Sequence, residues 1–226
     1  MQTKLAERKI IAENTTEITL DLQNQEFKFK AGQYVNLCFE TLPHHDPRGT
    51  CREFSISSSP KEEGILRTAF RHSHSGFKRT MLSMPLGTSV AIDGPFGLFT
   101  IPKRQIAPVV LIAGGIGVTP FMSMIKSMTL DKNPLQVTLI TSNSTIERAP
   151  FRDELKRLTK ENQNFTLHEN IGHLTPKFIR AAVEDMADQI YYLAGPPKMV
   201  HDIREALKGA GIDDDNILAE EFVGYE

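Results

Sequence analysis

The chain has 226 residues, of which 40% are hydrophobic and 24% are charged, and its formal net charge is −2. These fractions are typical of a globular protein and exclude wholesale disorder. The near-neutral charge argues against a nucleic-acid-binding or membrane-surface protein. No apolar run approaches the roughly 20 residues needed to span a bilayer, and the start lacks a signal-peptide core. We therefore expect a cytoplasmic protein without a membrane span.

The chain has two cysteines, Cys38 and Cys51. They are too few for a cysteine-ligated iron–sulfur cluster or a four-cysteine zinc site. A disulfide and two free thiols both remain open, and for a cytoplasmic protein we favour buried free thiols. The nearby segment His44-His45-Asp46, which is followed by Pro-Arg-Gly, is interpreted as a surface turn rather than a metal site.

Residues 1–104 alternate polar and apolar side chains over short runs that are separated by turns. Apolar residues recur with a period of two in Glu17–Leu22 and Tyr34–Phe39. This period predicts strands with one apolar face and one polar face turned outward. Several short strands separated by turns favour an antiparallel β-barrel, with one brief helix near Phe77–Ser83.

Residues 105–226 have a different pattern, in which buried strands alternate with amphipathic helices. Val109–Ala113 is a continuous apolar run followed by a glycine-rich turn and a helical repeat. Strands followed by helices recur at Val137–Thr141, Phe165–His168 and Ile190–Ala194, and the strand Ile217–Phe222 closes the series. Strands that alternate with helices predict an α/β domain with a doubly wound parallel sheet.

Two glycine turns follow strands of this second half. Gly114-Gly115-Ile116-Gly117 leads into a helix, where free N–H groups and the positive helix end favour a phosphate. Gly195-Pro196-Pro197 follows a later strand. In an open α/β sheet, ligands lie beyond the carboxyl ends of the strands, so both turns are candidates for one extended ligand. The alternative explanation of the first turn is close packing of the helix that follows it. The alternative for the second is a rigid connection between strand and helix.

Together with a segment of the first half, these turns resemble the motifs of the ferredoxin–NADP reductase superfamily. Arg52-Glu53-Phe54-Ser55 is similar to that family's Arg-x-Tyr-Ser flavin motif. Gly94–Gly97 resembles its Gly-Pro-x-Gly turn, Gly114–Pro120 its Gly-Gly-x-Gly-x-Thr-Pro motif, and Gly195–Met199 its Cys-Gly-Pro-Pro-x-Met motif. The resemblance covers essentially the whole chain. It implies an FAD-binding barrel, residues 1–104, followed by an NAD(P)-binding domain, residues 105–226.

The resemblance also implies residue roles. Arg52 is expected to pair with the FAD pyrophosphate, Phe54 to pack on the flavin or ribityl group, and Ser55, the catalytic candidate, to hydrogen-bond near flavin N5. The further expected FAD contacts are Arg71, His72, Gly76, Phe77, Lys78 and Thr80. The expected contacts of NAD(P)H are Gly115, Gly117, Thr119, Pro120, Gly195 and Pro196. Near the C-terminus, Phe222 or Tyr225 is expected to stack on the flavin, with a closing strand as the alternative.

Three departures from the family pattern bear on function. Phe54 replaces a tyrosine, and Ala194 replaces a cysteine that often faces the nicotinamide. Members specific for NADP place an arginine soon after the second strand of the sheet, whereas here the nearest arginines are Arg148 and Arg152. We therefore favour NADH slightly over NADPH.

The expected function is a flavoprotein oxidoreductase that transfers hydride from NAD(P)H to FAD. Electrons would then pass to a separate acceptor, which could be a ferredoxin, a cytochrome, a free flavin or a small molecule. The alternative is a non-catalytic nucleotide-binding regulatory protein or an electron-transfer subunit of a larger complex. The replacements at Phe54 and Ala194 permit the non-catalytic alternative.

Overall fold

The computed structural model describes residues 1–222, and within that range no helix is long and apolar enough to cross a membrane. Six strands form an antiparallel sheet in the order β4-β3-β6-β1-β2-β5. They are β1 (Gln2–Ala12), β2 (Thr15–Asp21), β3 (Tyr34–Cys38), β4 (Cys51–Ser55), β5 (Ile65–Arg71) and β6 (Ser89–Phe96), with helix α1 at Gly76–Ser83. An antiparallel bridge between Ile56 and Thr68 joins the two edges and closes the sheet into a barrel.

The remaining five strands form a parallel sheet in the order β11-β10-β7-β8-β9. They are β7 (Val109–Gly114), β8 (Val137–Asn143), β9 (Phe165–Ile171), β10 (Ile190–Gly195) and β11 (Ile217–Glu221). The helices are α2 (Thr119–Asp131), α3 (Arg152–Glu161), α4 (Pro176–Ala182) and α5 (Pro197–Gly209). Both faces of this sheet are covered by apolar cores. The predicted fold class, an antiparallel barrel followed by an α/β parallel sheet, is confirmed.

Strand β2 departs from the predicted pattern of one buried and one exposed face. Ile18 and Leu20 fill the barrel core, as the alternation predicts, but Glu17 and Thr19 are also buried. Burial raises the pKa of Glu17, and the charges of Lys126 in α2 and Glu154 in α3 also act on it, so we infer that the helices of the second half lie over this outer face. A period of two in the sequence predicts which face of a strand packs in the core. Whether the other face is buried depends on residues far away in the chain.

The two halves share part of one core. Phe99, which follows the last barrel strand, packs on Phe121 and Tyr192 with ring centroids 5.8 Å and 5.3 Å apart. The Ser123 hydroxyl of α2 donates a buried hydrogen bond to the Ser58 carbonyl at 2.6 Å. These contacts hold β10 and α2 of the second half against the first half.

The expectation of buried free thiols is wrong. Cys38 and Cys51 form a disulfide, and Cys51 is exposed rather than buried. The two residues are direct partners in the register of β3 and β4, with their Cα atoms 4.1 Å apart. Sequence spacing alone does not reveal this cross-strand register, so the sequence could not decide between the two states.

Candidate functional site

A cavity of about 580 Å³ lies between the barrel and the parallel sheet. Strand β4 supplies Arg52, Phe54 and Ser55 to its wall, and the first turn of α2 supplies Thr119. Further lining residues come from β3, β5, the segments before β4 and α1, α1 itself and β11, and they include Arg48, Lys78 and Glu220. The structure therefore brings the predicted flavin motif together with the helix that follows the first glycine turn.

One end of this cavity is strongly cationic. Arg48, Arg52 and Lys78 all line it. Burial, together with the positive charges of Arg48, Arg52 and Arg71, lowers the pKa of Lys78 to about 8. A diphosphate bound here would offset the mutual repulsion of these cations, and arginine pairs well with phosphate oxygens. The donor set therefore fits the pyrophosphate of a dinucleotide.

Asp46 fixes the position of Arg52 at this end. Its carboxylate forms a buried ion pair with Arg52 and accepts hydrogen bonds from the Ser75 hydroxyl at 2.7 Å and the Phe77 N–H at 2.9 Å. Burial alone would raise the pKa of Asp46, but these hydrogen bonds, that of the Arg48 N–H and the Arg52 charge hold it well below its usual value. The segment His44-His45-Asp46 does lead into an exposed turn, as expected, but Asp46 itself is buried and anchors the loop to α1.

Another part of the cavity lining is acidic, and sequence reasoning missed it. Tyr34, Asn36, Glu53 and Glu220 line it. Burial, helped by the negative charge of Glu53, raises the pKa of Glu220 to about 7. The Glu220 Oε2 atom is buried without a hydrogen-bond partner among the described residues. A charged residue in the closing strand gives no sequence signal that it faces a cavity formed by the other half.

A second cavity of about 260 Å³ opens at the carboxyl ends of β7 and β8. Its lining comprises Arg71, Gly114, Gly115, Ile116, Ser142, Asn143, Ser144, Arg148, Pro196, Met199 and Phe222. Both predicted glycine turns thus contribute to one crevice. Gly115 has a positive φ of 54°, and a Cβ added to it would lie 3.4 Å from an Arg71 guanidinium nitrogen. Arg71 extends from the barrel to this turn, so both halves form the crevice.

Phe222 lines both cavities and therefore marks where they meet. Its N–H donates to the Gly195 carbonyl at 2.9 Å, which attaches the segment after β11 to the second glycine turn. The other predicted aromatic residue, Tyr225, lies outside the described residues. Stacking of Phe222 on a flavin stays a prediction.

Seven of the predicted contact residues lie outside the lining of both cavities. They are His72, Gly76, Phe77, Thr80, Gly117, Pro120 and Gly195. The His72 ring is 2.7 Å from the Thr16 hydroxyl, and Phe77 lies in the barrel core. A Cβ on Gly76 would overlap the His45 carbonyl, and one on Gly117 would overlap the Ala194 carbonyl. The packing around Gly76 and Gly117 therefore leaves no room for a side chain. For Gly117 this agrees with the alternative explanation of the first glycine turn, which was close helix packing.

Comparison with known proteins agrees with this two-part site. Residues 2–101 match the family described as the oxidoreductase FAD-binding domain, and residues 111–205 match the oxidoreductase NAD-binding domain. Among solved structures, the FAD/NAD-binding domain of nitric oxide dioxygenase from Vibrio cholerae superposes with a TM-score of 0.86. That match is at 20% identity and covers 98% of each chain.

Curated relatives include the reductase component of propane 2-monooxygenase from Rhodococcus jostii. It is 28% identical over 87% of this chain and 56% of its own length. NADH-cytochrome b5 reductase 1 from Pyricularia oryzae is 23% identical over 92% of this chain and 74% of its own length. The chain spans about half to two thirds of the length of the first relatives. With both domains matched in this order, the chain belongs to the ferredoxin–NADP reductase superfamily of oxidoreductases, whose cofactors are FAD and a nicotinamide nucleotide.

Proposed function

We propose that this chain is a reductase that transfers hydride from a reduced nicotinamide nucleotide to FAD and passes electrons to a separate acceptor. The observation that carries the proposal is the position of Phe222, which borders both the larger, cationic cavity and the glycine-turn crevice. Two ligands bound in these cavities would meet at this side chain. Bound FAD supplies a group that accepts hydride and releases electrons singly or in pairs.

The protein itself would bind the two cofactors, orient them and shield them from water. Arg48, Arg52 and Lys78 would hold the FAD diphosphate, since they form the cationic end of the larger cavity. Ser55 is only 9% exposed and lines the same cavity as Thr119 of the second half. Its hydroxyl is our candidate for a hydrogen bond near flavin N5. Correct placement of two reactants contributes much of the rate in such a reaction.

NADH is our candidate donor. Arg152 is paired with Glu169 at 2.6 Å, so it is engaged away from the crevice lining. Asn143 lines the crevice, and its buried Oδ1 has no hydrogen-bond partner among the described residues. A ribose hydroxyl could donate to this oxygen, whereas a 2′-phosphate could not. Arg148 also lines the crevice, so an Arg148→Ala variant that loses only NADPH-dependent activity would contradict this assignment.

The acceptor is proposed to be a separate redox protein. Support comes from relatives that are named as parts of larger systems. One is the propane 2-monooxygenase reductase component, and another belongs to a Na⁺-translocating NADH-quinone reductase from Serratia proteamaculans. The latter is 26% identical over 87% of this chain and 53% of its own length. A cytoplasmic location stays a prediction.

Anaerobic spectral titration tests the function. The purified protein is reconstituted with FAD, and the flavin absorbance is followed while NADH or NADPH is added. We expect rapid bleaching, faster with NADH. An Arg52→Gln variant should bind FAD about tenfold or more weakly, because a charge-assisted contact to phosphate is lost. Arg157→Gln is the matched control, since Arg157 lies on the surface of α3 and pairs with Glu161. Bound FAD that no nicotinamide nucleotide bleaches would favour the non-catalytic alternative.

A further inference from the structure

The disulfide between Cys38 and Cys51 lies in the wall of the larger cavity. Cys51 lines the cavity beside Arg48 and Arg52. Its side chain is exposed, whereas Cys38 is half-buried. We therefore expect a reagent to approach the S–S bond from the Cys51 side, without unfolding of the barrel.

The disulfide closes the loop of residues 39–50, whose backbone holds Arg52 in place. The Arg52 guanidinium donates to the carbonyl oxygens of Arg48, Gly49 and Cys51 at 3.0, 3.1 and 2.6 Å. Asp46 of the same loop forms the ion pair with Arg52 and accepts the hydrogen bonds from the start of α1. The cationic end of the cavity therefore depends on the conformation of this closed loop.

Electrostatic repulsion within the cavity wall favours movement of the loop once the disulfide is broken. Arg48 and Arg52 carry like charges in the same cavity wall as Lys78, so they repel one another and Lys78. Backbone contacts would still pair β3 with β4, including the hydrogen bond from the Phe39 N–H to the Thr50 carbonyl at 3.0 Å. Reduction would thus leave the sheet intact while the loop between the strands gains conformational freedom.

We propose that Cys38–Cys51 is a thiol-reducible site that controls how tightly the chain holds FAD, which rests on the proposed function of the cavity. A dithiol supplies the electrons. Its thiolate attacks Cys51 Sγ, the S–S bond breaks, and Cys38 leaves as a thiolate that takes up a proton. The second thiol of the reagent then displaces Cys51, so that two electrons and two protons reach the protein and the reagent becomes a disulfide.

The experiment measures thiol content and FAD affinity on the same samples. Protein that has been fully oxidised is divided, and one half is treated with dithiothreitol without denaturant and desalted under nitrogen. Thiol titration should find no thiol in the oxidised half and both cysteine thiols in the reduced half. The dissociation constant of FAD, measured by flavin fluorescence, should be about tenfold higher for the reduced protein, as expected for loss of one charge-assisted contact.

Variants separate this effect from unfolding and from unspecific actions of the reagent. The double variant Cys38→Ser/Cys51→Ser has no remaining cysteine, because the chain contains only two. It should bind FAD like the reduced protein and should not respond to dithiothreitol, and its circular dichroism melt verifies folding. Arg48→Gln keeps the disulfide but removes one of the charges that repel one another. The difference in FAD affinity between its oxidised and reduced forms should therefore be smaller. Arg157→Gln, the matched surface control, should keep the full difference.

Three results would count against the proposal. Equal FAD affinity of the oxidised and reduced proteins would overturn it, and so would thiols that appear only in denaturant. Failure of both forms to bind FAD, with both thiols titrated in the reduced sample, would instead contradict the proposed function and remove the basis of this inference. The thiol titration distinguishes these cases because it does not depend on FAD.

Discussion

At the scale of single residues, Lys78 should make FAD binding depend on pH. The pKa of Lys78 is lowered to about 8 by burial and by the neighbouring arginines. A bound diphosphate would raise it, so binding favours the protonated amine, and affinity is lost as pH rises through about 8. We expect FAD affinity to fall up to about tenfold between about pH 7 and about pH 9.

The control for this prediction is Lys78→Arg, because arginine keeps its charge throughout that range. Fluorescence titration of FAD at both pH values should show a much smaller decrease for this variant. The same decrease in both proteins would assign the pH dependence to another group.

Because of Glu220, the stability of the FAD-free protein should fall as pH rises. An ordinary ion-paired carboxylate would make stability rise with pH instead. Burial and the charge of Glu53 raise its pKa from 4.5 to about 7. The folded state therefore binds the proton more tightly than the unfolded state, and stability decreases as pH rises from about 4.5 to about 7. Glu220→Gln should be more stable than the parent above that range by about 2 kcal/mol, allowing for partial exposure.

Urea unfolding at about pH 4.5 and about pH 8.5 would measure this difference. The two proteins should differ little at the lower pH, where Glu220 is protonated in the folded state and about half protonated in the unfolded state, so most of the difference between them is gone. Glu221→Gln, the next residue along β11 and an exposed one, is the matched control and should leave the pH profile unchanged. A parent protein whose stability is flat over this range would contradict the prediction.

At the scale of elements, the two glycines of the first turn have different roles. Gly117 packs against the end of β10, where an added Cβ would overlap the Ala194 carbonyl. Gly115 faces the crevice with a positive φ, and an added Cβ would only contact Arg71 at 3.4 Å. Gly117→Ala should therefore cost about 2 kcal/mol by overpacking, and Gly115→Ala about 1 kcal/mol from backbone conformation. Denaturant unfolding of both variants measures their loss of stability. A larger loss for Gly115→Ala than for Gly117→Ala would contradict the prediction.

The elements that the sequence predicted well are those with local signals. The apolar run at Val109–Ala113 and its glycine turn predict a buried strand and a helix start, and β7 and α2 lie there. Strand β1 was not predicted, because most of its side chains are partly or fully exposed and show no apolar alternation. The cross-strand disulfide, the anchoring by Asp46 and the cavity position of Glu220 all depend on residues far apart in the chain. Local patterning carries no information about such pairs.

At the scale of the whole molecule, the shared core should make the two halves unfold together. Phe99 precedes the predicted boundary at residue 104, yet it packs between Phe121 and Tyr192 of the second half. The Tyr192 hydroxyl also donates to the Thr100 carbonyl at 3.2 Å. We expect calorimetry of the parent protein to show one transition, and added FAD to shift the whole of it.

Phe99→Ala should uncouple the halves because it removes the ring that the first half inserts into the core of the second half. The cost should be about 3 kcal/mol, and calorimetry should then resolve two transitions, of which FAD shifts chiefly the one from the barrel. Phe70→Ala is the matched control, since Phe70 is fully buried within the barrel core. It should cost a similar amount and keep a single transition, because the contacts between the halves remain. A single transition in Phe99→Ala would mean that polar contacts such as the bond between Ser123 and Ser58 suffice to couple the halves.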